Sequence, residues 1–103
     1  MPAGTKSLSP AEIRQLLGQL PEWEFRRGMI RKAFQFDDFH RTMAFVNAVA
    51  WIAHVEDHHP DLRVTFGRCT VAFATHSIDG ISMNDFVCAA KIEALPPTMP
   101  TAR

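Results

Sequence analysis

Neither sign of charge prevails in this chain, since eleven lysines and arginines are matched by eleven aspartates and glutamates. A sequence-independent grip on nucleic-acid phosphates therefore has no support at the level of net charge. Cysteine is scarce as well. Cys69 and Cys88 stand in apolar contexts without CxxC spacing, which argues against a disulfide framework or a redox motif and leaves a reduced, cytoplasmic setting as the expectation. No apolar run approaches membrane-spanning length, and Met1 to Pro10 lacks the apolar centre of a signal peptide, so neither export nor anchoring is expected. Long runs of like charge, the mark of disorder, are missing too. What remains, 103 residues at 47% hydrophobic and 21% charged, suits one globular domain over 1–103 with one core.

Read in order, Ser9-Pro10-Ala11-Glu12 opens a helix: Ser9 can cap, Pro10 fits the first helical position, and Glu12 completes a capping-box spacing. Ile13, Leu16, Leu17 and Leu20 recur at helical intervals before Pro21 stops them. Trp23-Glu24-Phe25 and the run Met29 to Phe36 form a hairpin turned at Gly28. Its second strand puts Lys32 on the face of Ile30, Phe34 and Phe36, so either Lys32 snorkels to an edge or the strand is irregular. Asp37 or Asp38 caps a long helix from about Phe39 to about His58. Its apolar stripe is wide enough to cover both a sheet and a second subunit, which predicts an oligomer. Leu62, Val64 and Phe66 alternate along a half-buried strand, Gly67-Arg68 makes the loop, and Cys69, Val71 and Phe73 alternate inward along the next strand. After a turn at Ser77-Ile78-Asp79-Gly80, Ser82-x-x-Asp85 opens the last helix; from Pro96 a proline-rich tail is expected to be disordered. The order α-β-β-α-β-β-α predicts an α+β fold, a single antiparallel four-stranded sheet with three helices packed on one face.

One stretch is rich in chemistry: His54-Val55-Glu56-Asp57-His58-His59-Pro60. If the long helix runs into it, His54 and His58 share a helix face at i and i+4, while Pro60 pushes His59 out of the α region. Imidazole titrates near neutrality, so the cluster is a candidate for proton transfer. The plainer reading is a polar helix end with a cation near its last carbonyls.

The spacing His54, His58-His59-Pro60, Phe66, His76 and Asp85 resembles the pattern of the pterin-4a-carbinolamine dehydratases, which include the dimerization cofactor of a hepatocyte homeodomain transcription factor. The likeness extends over Leu20-Pro21-x-Trp23, the run Phe34 to Phe39, Ala74-Thr75-His76 and Gly80-Ile81-Ser82. His54 stands where an acidic residue usually opens the motif. The resemblance implies dehydration of 4a-hydroxytetrahydropterin to quinonoid dihydropterin, with acid and base supplied by His58 and His76, and His59 binding and orienting the pterin. It also implies a dimer or tetramer, and neither cofactor nor metal. Asp57 and Asp85 are candidates to orient the imidazoles, and Trp23 to stack on the pterin ring; the plainer readings are that Asp85 only caps its helix and Trp23 only fills the core.

Two rivals remain at this level. His54, His58 and His76 could together hold zinc, although the Glu of an HExxH motif is missing. A non-enzymatic interaction module, resembling the family's coactivator role, would use the apolar face of the long helix instead of the histidines.

Overall fold

A computed structural model describes residues 5–96 of the chain. Helix α1, Pro10–Leu17, begins with the expected reciprocal cap: Glu12 N–H donates to Ser9 Oγ at 3.1 Å and Ser9 N–H donates to Glu12 Oε1 at 2.8 Å. It ends at Gly18, earlier than Pro21 suggested, and Leu20 reaches the core through the following turn. Strands β1 (Glu24–Arg26) and β2 (Met29–Gln35) are joined by Arg27 and Gly28 at φ 54° and 79°, the paired positive values of a type I′ turn. Helix α2, Phe39–Glu56, starts at Asp38, whose Oδ1 accepts the Arg41 N–H at 2.7 Å. That bond settles which aspartate caps and holds the Asp38 carboxyl below the usual carboxylate range.

Strands β3 (Asp61–Thr65) and β4 (Arg68–Phe73) turn at Phe66-Gly67, one position earlier than the sequence suggested. The reason is local packing. Phe66 O accepts the Thr42 hydroxyl and Gly67 O accepts the Phe36 N–H, each at 2.9 Å, while a Cβ on Gly67 would stand 2.9 Å from Phe36 O. Only glycine lets the turn sit that close. A short 3₁₀ helix, His76–Ile78, then leads to α3, Met83–Glu93.

The sheet order is β1-β2-β4-β3, antiparallel throughout, which is the α+β fold expected. Register pairs Ile30 with Phe73, Phe34 with Cys69 and Val64 with Cys69, so these side chains share one face. Ile13 of α1, Phe45 and Val49 of α2, and Phe86, Ala89 and Ile92 of α3 join the same buried cluster, so all three helices cover that face. Lys32 also points there. Its strand is regular, and its ammonium lies 2.6 Å from Glu93 Oε2 and 4.7 Å from the Phe34 ring centre, so the stem is buried and the charge is met. Strand β3 departs from expectation. Leu62 and Val64 face the helix side by register, yet β3 is an edge strand and leaves them 37% and 36% exposed. No described helix is long and apolar enough to cross a membrane, and the tail expected to be disordered falls, from residue 97 on, outside the described residues.

Candidate active site

The end of α2 decides where the histidines go. Asp57 takes the left-handed conformation, φ 52° and ψ 44°; its N–H donates to His54 O at 3.2 Å and the His58 N–H donates to Ala53 O at 3.0 Å. This pair of bonds is a Schellman termination, usually built on glycine, and aspartate is one of the few other residues that tolerates it. The helix therefore stops at Glu56, and His58 leaves the helical path. His54 and His58 do not share a helix face, contrary to the i,i+4 expectation. His54 stays on the outer side of α2, exposed, with its ring 5.6 Å from that of Trp51.

His58 turns inward and is 5% exposed. Its ring lies nearly parallel to Phe73, 12° between planes and 5.7 Å between centres, and its Nε2 is 2.5 Å from Asp85 Oδ1. Asp85 is wholly buried, and a buried carboxylate is tolerable only when its oxygens are hydrogen-bonded. Here Oδ2 accepts the Thr75 hydroxyl and the Ser82 N–H, both at 2.8 Å, and Thr75 Oγ1 is 2.8 Å from Ser82 Oγ. Asp85 thus caps α3, as its spacing predicted, and meets His58 as well.

His76 follows Thr75 directly and is exposed at the start of the 3₁₀ helix. Its loop is closed by Thr75 N–H to Gly80 O at 2.8 Å, and it lines a cleft of about 420 Å³ together with Arg27, Met29, Asp79 and Ile81. His59 and Asp57 are exposed beside Pro60. Neither His58 nor His59 lines that cleft; His58 is linked by hydrogen bonds through Asp85 to Thr75, the residue before His76. Trp23 is elsewhere: 5% exposed, edge-on to Phe34, stacked at 6.5 Å on Phe73, with Nε1 donating to Glu93 Oε2 at 2.9 Å. It is a core residue, and the structure does not present its ring to a ligand. Thr75, Ser82 and Phe73 were not singled out from sequence as site residues; the Ser82-x-x-Asp85 spacing was visible, but only as a helix cap.

Among the described residues no group of three or more His, Cys, Asp or Glu side chains converges as a metal site. Burial pushes the thiols of Cys69 and Cys88 up to about 11, so neither is a nucleophile near neutrality.

A small single-sheet α+β protein with a buried histidine–carboxylate pair at the end of its long helix is the class that fold and site define. The sequence model for pterin 4 alpha carbinolamine dehydratase matches residues 6–95, and the chain belongs to that family. A provisionally named pterin-4-alpha-carbinolamine dehydratase of Nitrosospira multiformis is 56% identical over 88 residues, 85% of this chain and 78% of that protein. One from Stenotrophomonas maltophilia is 52% identical over 95 residues, 90% and 82% of the two chains. The crystal structure of a transcriptional coactivator/pterin dehydratase from Brucella melitensis superposes with a TM-score of 0.83 at 31% identity, covering 86% of this chain and 97% of that one. A pterin dehydratase-like RuBisCO assembly factor of the alpha-carboxysome shares the fold, with a TM-score of 0.58 at 19% identity over 70% of this chain and 83% of its own.

Proposed function

We propose that this protein dehydrates 4a-hydroxytetrahydropterin to quinonoid dihydropterin by histidine general acid and base catalysis, recycling the pterin cofactor of aromatic amino-acid hydroxylases. The observation that carries the reading is the His58–Asp85 pair, tied through Thr75 to the loop that bears His76. As the C4a=N5 bond forms, the 4a-hydroxyl leaves with a proton from one imidazole as water, and the N5 proton passes to the other. No electrons are exchanged with any redox partner. His58 and His76 are the acid and base, His59 binds and orients the pterin, and Asp85 orients His58. Asp57 and His54 stand at the margin of the site.

The test is a dehydration assay with chemically generated 4a-hydroxytetrahydropterin, run against the uncatalysed rate. Acceleration that survives dialysis against a strong chelator is expected; no acceleration overturns the reading, and loss restored by zinc replaces it with a metal site.

A second reading rests on the outer side of α2, where Trp51 and Val55, one turn apart, are 66% and 57% exposed. Exposed apolar side chains of that size mark an association surface, and the occupant proposed is a second copy of this chain, as a dimer or tetramer. Light scattering at micromolar concentration is expected to give a multiple of 11.6 kDa. If the apolar side of α2 served a different protein as a non-enzymatic module, disrupting it would abolish function in cells while His58→Ala behaved normally. Two free, buried cysteines suit a reduced cytoplasmic setting.

A further inference from the structure

The hydroxyl of Thr75 lies at the joint between the two proposed catalytic histidines. Its backbone closes the His76 loop against Gly80, and its side chain, 1% exposed as a residue, reaches Asp85. The directions of the surrounding hydrogen bonds can be worked out one at a time. Ser82 N–H can only donate, so Asp85 Oδ2 is an acceptor. The same Oδ2 also accepts the single hydroxyl proton of Thr75. That proton being committed, the Ser82 hydroxyl donates to Thr75 Oγ1. Oδ1 then faces His58 Nε2 at 2.5 Å, and with Asp85 as a carboxylate that contact is filled by an Nε2–H.

The other ring nitrogen has a different setting. Among the described residues every fully buried side-chain nitrogen or oxygen has a hydrogen-bond partner, and Nε2 is the one ring nitrogen of His58 bonded to another described residue. Nδ1, without a protein partner among the described residues, is therefore not fully enclosed.

We infer that Thr75 is a positioning residue, whose hydroxyl orders Asp85 so that His58 is held as the Nε2–H tautomer and exchanges protons with its substrate through Nδ1. When Nδ1 takes a proton the ring becomes a cation facing Asp85, and when it gives the proton up the same Nε2–H tautomer returns. The Nε2–H bond stays intact in both directions, and no proton has to cross to the carboxylate. The same hydroxyl serves His76 indirectly, because a Thr75 held by Asp85 fixes where its loop begins.

The substrate part of this inference rests on the dehydratase reading; the tautomer does not. Long-range ¹H–¹⁵N correlation of histidine-labelled protein reads the neutral His58 ring in the resting chain. An Nε2–H tautomer is expected in the native protein and in Thr75→Ser, with a mixture of tautomers in Thr75→Val. In the dehydration assay Thr75→Val should lose about tenfold in kcat with KM within about twofold, and Thr75→Ser should restore it, the scale on which a partner behind a functional imidazole acts. An Nδ1–H tautomer in the native protein would overturn the inference, as would a Thr75→Val protein with unchanged tautomer and kcat. Should Thr75→Val fail to fold, Thr75→Ala takes its place and the native spectrum decides the tautomer by itself. Absence of dehydratase activity alongside an Nε2–H ring that responds to Thr75→Val would sink the functional reading and leave the Thr75 assignment standing.

Discussion

His58 is held by contacts of three kinds: a carboxylate at its Nε2, an aromatic face at Phe73, and a left-handed residue just before it. Removing the imidazole should therefore cost activity far more than binding. His58→Ala and His76→Ala are each expected to lower the dehydration rate by about 10² or more, the usual scale for a lost general acid or base, and full activity in both would refute their roles. His59, exposed and outside the buried network, should act through KM when changed to Ala, as steady-state kinetics would show. Asp85→Ala has a second effect. It strands the Thr75 hydroxyl and the Ser82 N–H in the interior and should cost about 3 kcal/mol in urea unfolding, beyond any loss of rate.

The elements were legible where their signals are local. Both capping boxes, the two hairpins and the three helices follow from residues within a few positions of one another. The end of α2 was not, because its terminator is Asp57 in a conformation that sequences usually mark with glycine. His58 consequently read as the last residue of a helix face, when its direction is fixed by Asp85, 27 residues away. Lys32 and Trp23 both depend on Glu93, 61 and 70 residues further along the chain, a dependence no periodicity carries. The left-handed Asp57 leads to a prediction about α2 itself. Asp57→Gly should relieve the strain at that position and raise stability by roughly 0.5–1 kcal/mol, seen as a higher urea midpoint with an unchanged m-value; a lower midpoint would mean that the aspartate side chain contributes more than its backbone costs.

At the scale of the whole molecule, the core contains two thiols whose ionisation folding opposes. Cys69 and Cys88 are pushed from 9.0 up to about 11 by burial, joined at Cys88 by the carboxylates of Glu56 and Asp85. Between those values the unfolded chain has lost thiol protons that the folded chain still holds, so stability falls as pH rises. A fall in urea midpoint from pH 9 towards pH 11 is expected, reduced in Cys69→Ala and Cys88→Ala after allowance for the cavity each change leaves. A flat profile in the parent would contradict the assignment.

The two tryptophans are placed so that the molecule reports on itself optically. Trp23 is 5% exposed and stacked on Phe73, which also stacks on His58, whereas Trp51 is 66% exposed on the outer side of α2. Fluorescence from the first is shielded from aqueous quenchers, and emission from the second is open to them. If subunits join across α2, assembly would shield Trp51 and dilution would return it to the quenchers without touching Trp23, whereas unfolding would red-shift and expose Trp23, so the two events separate in one cuvette without an added dye.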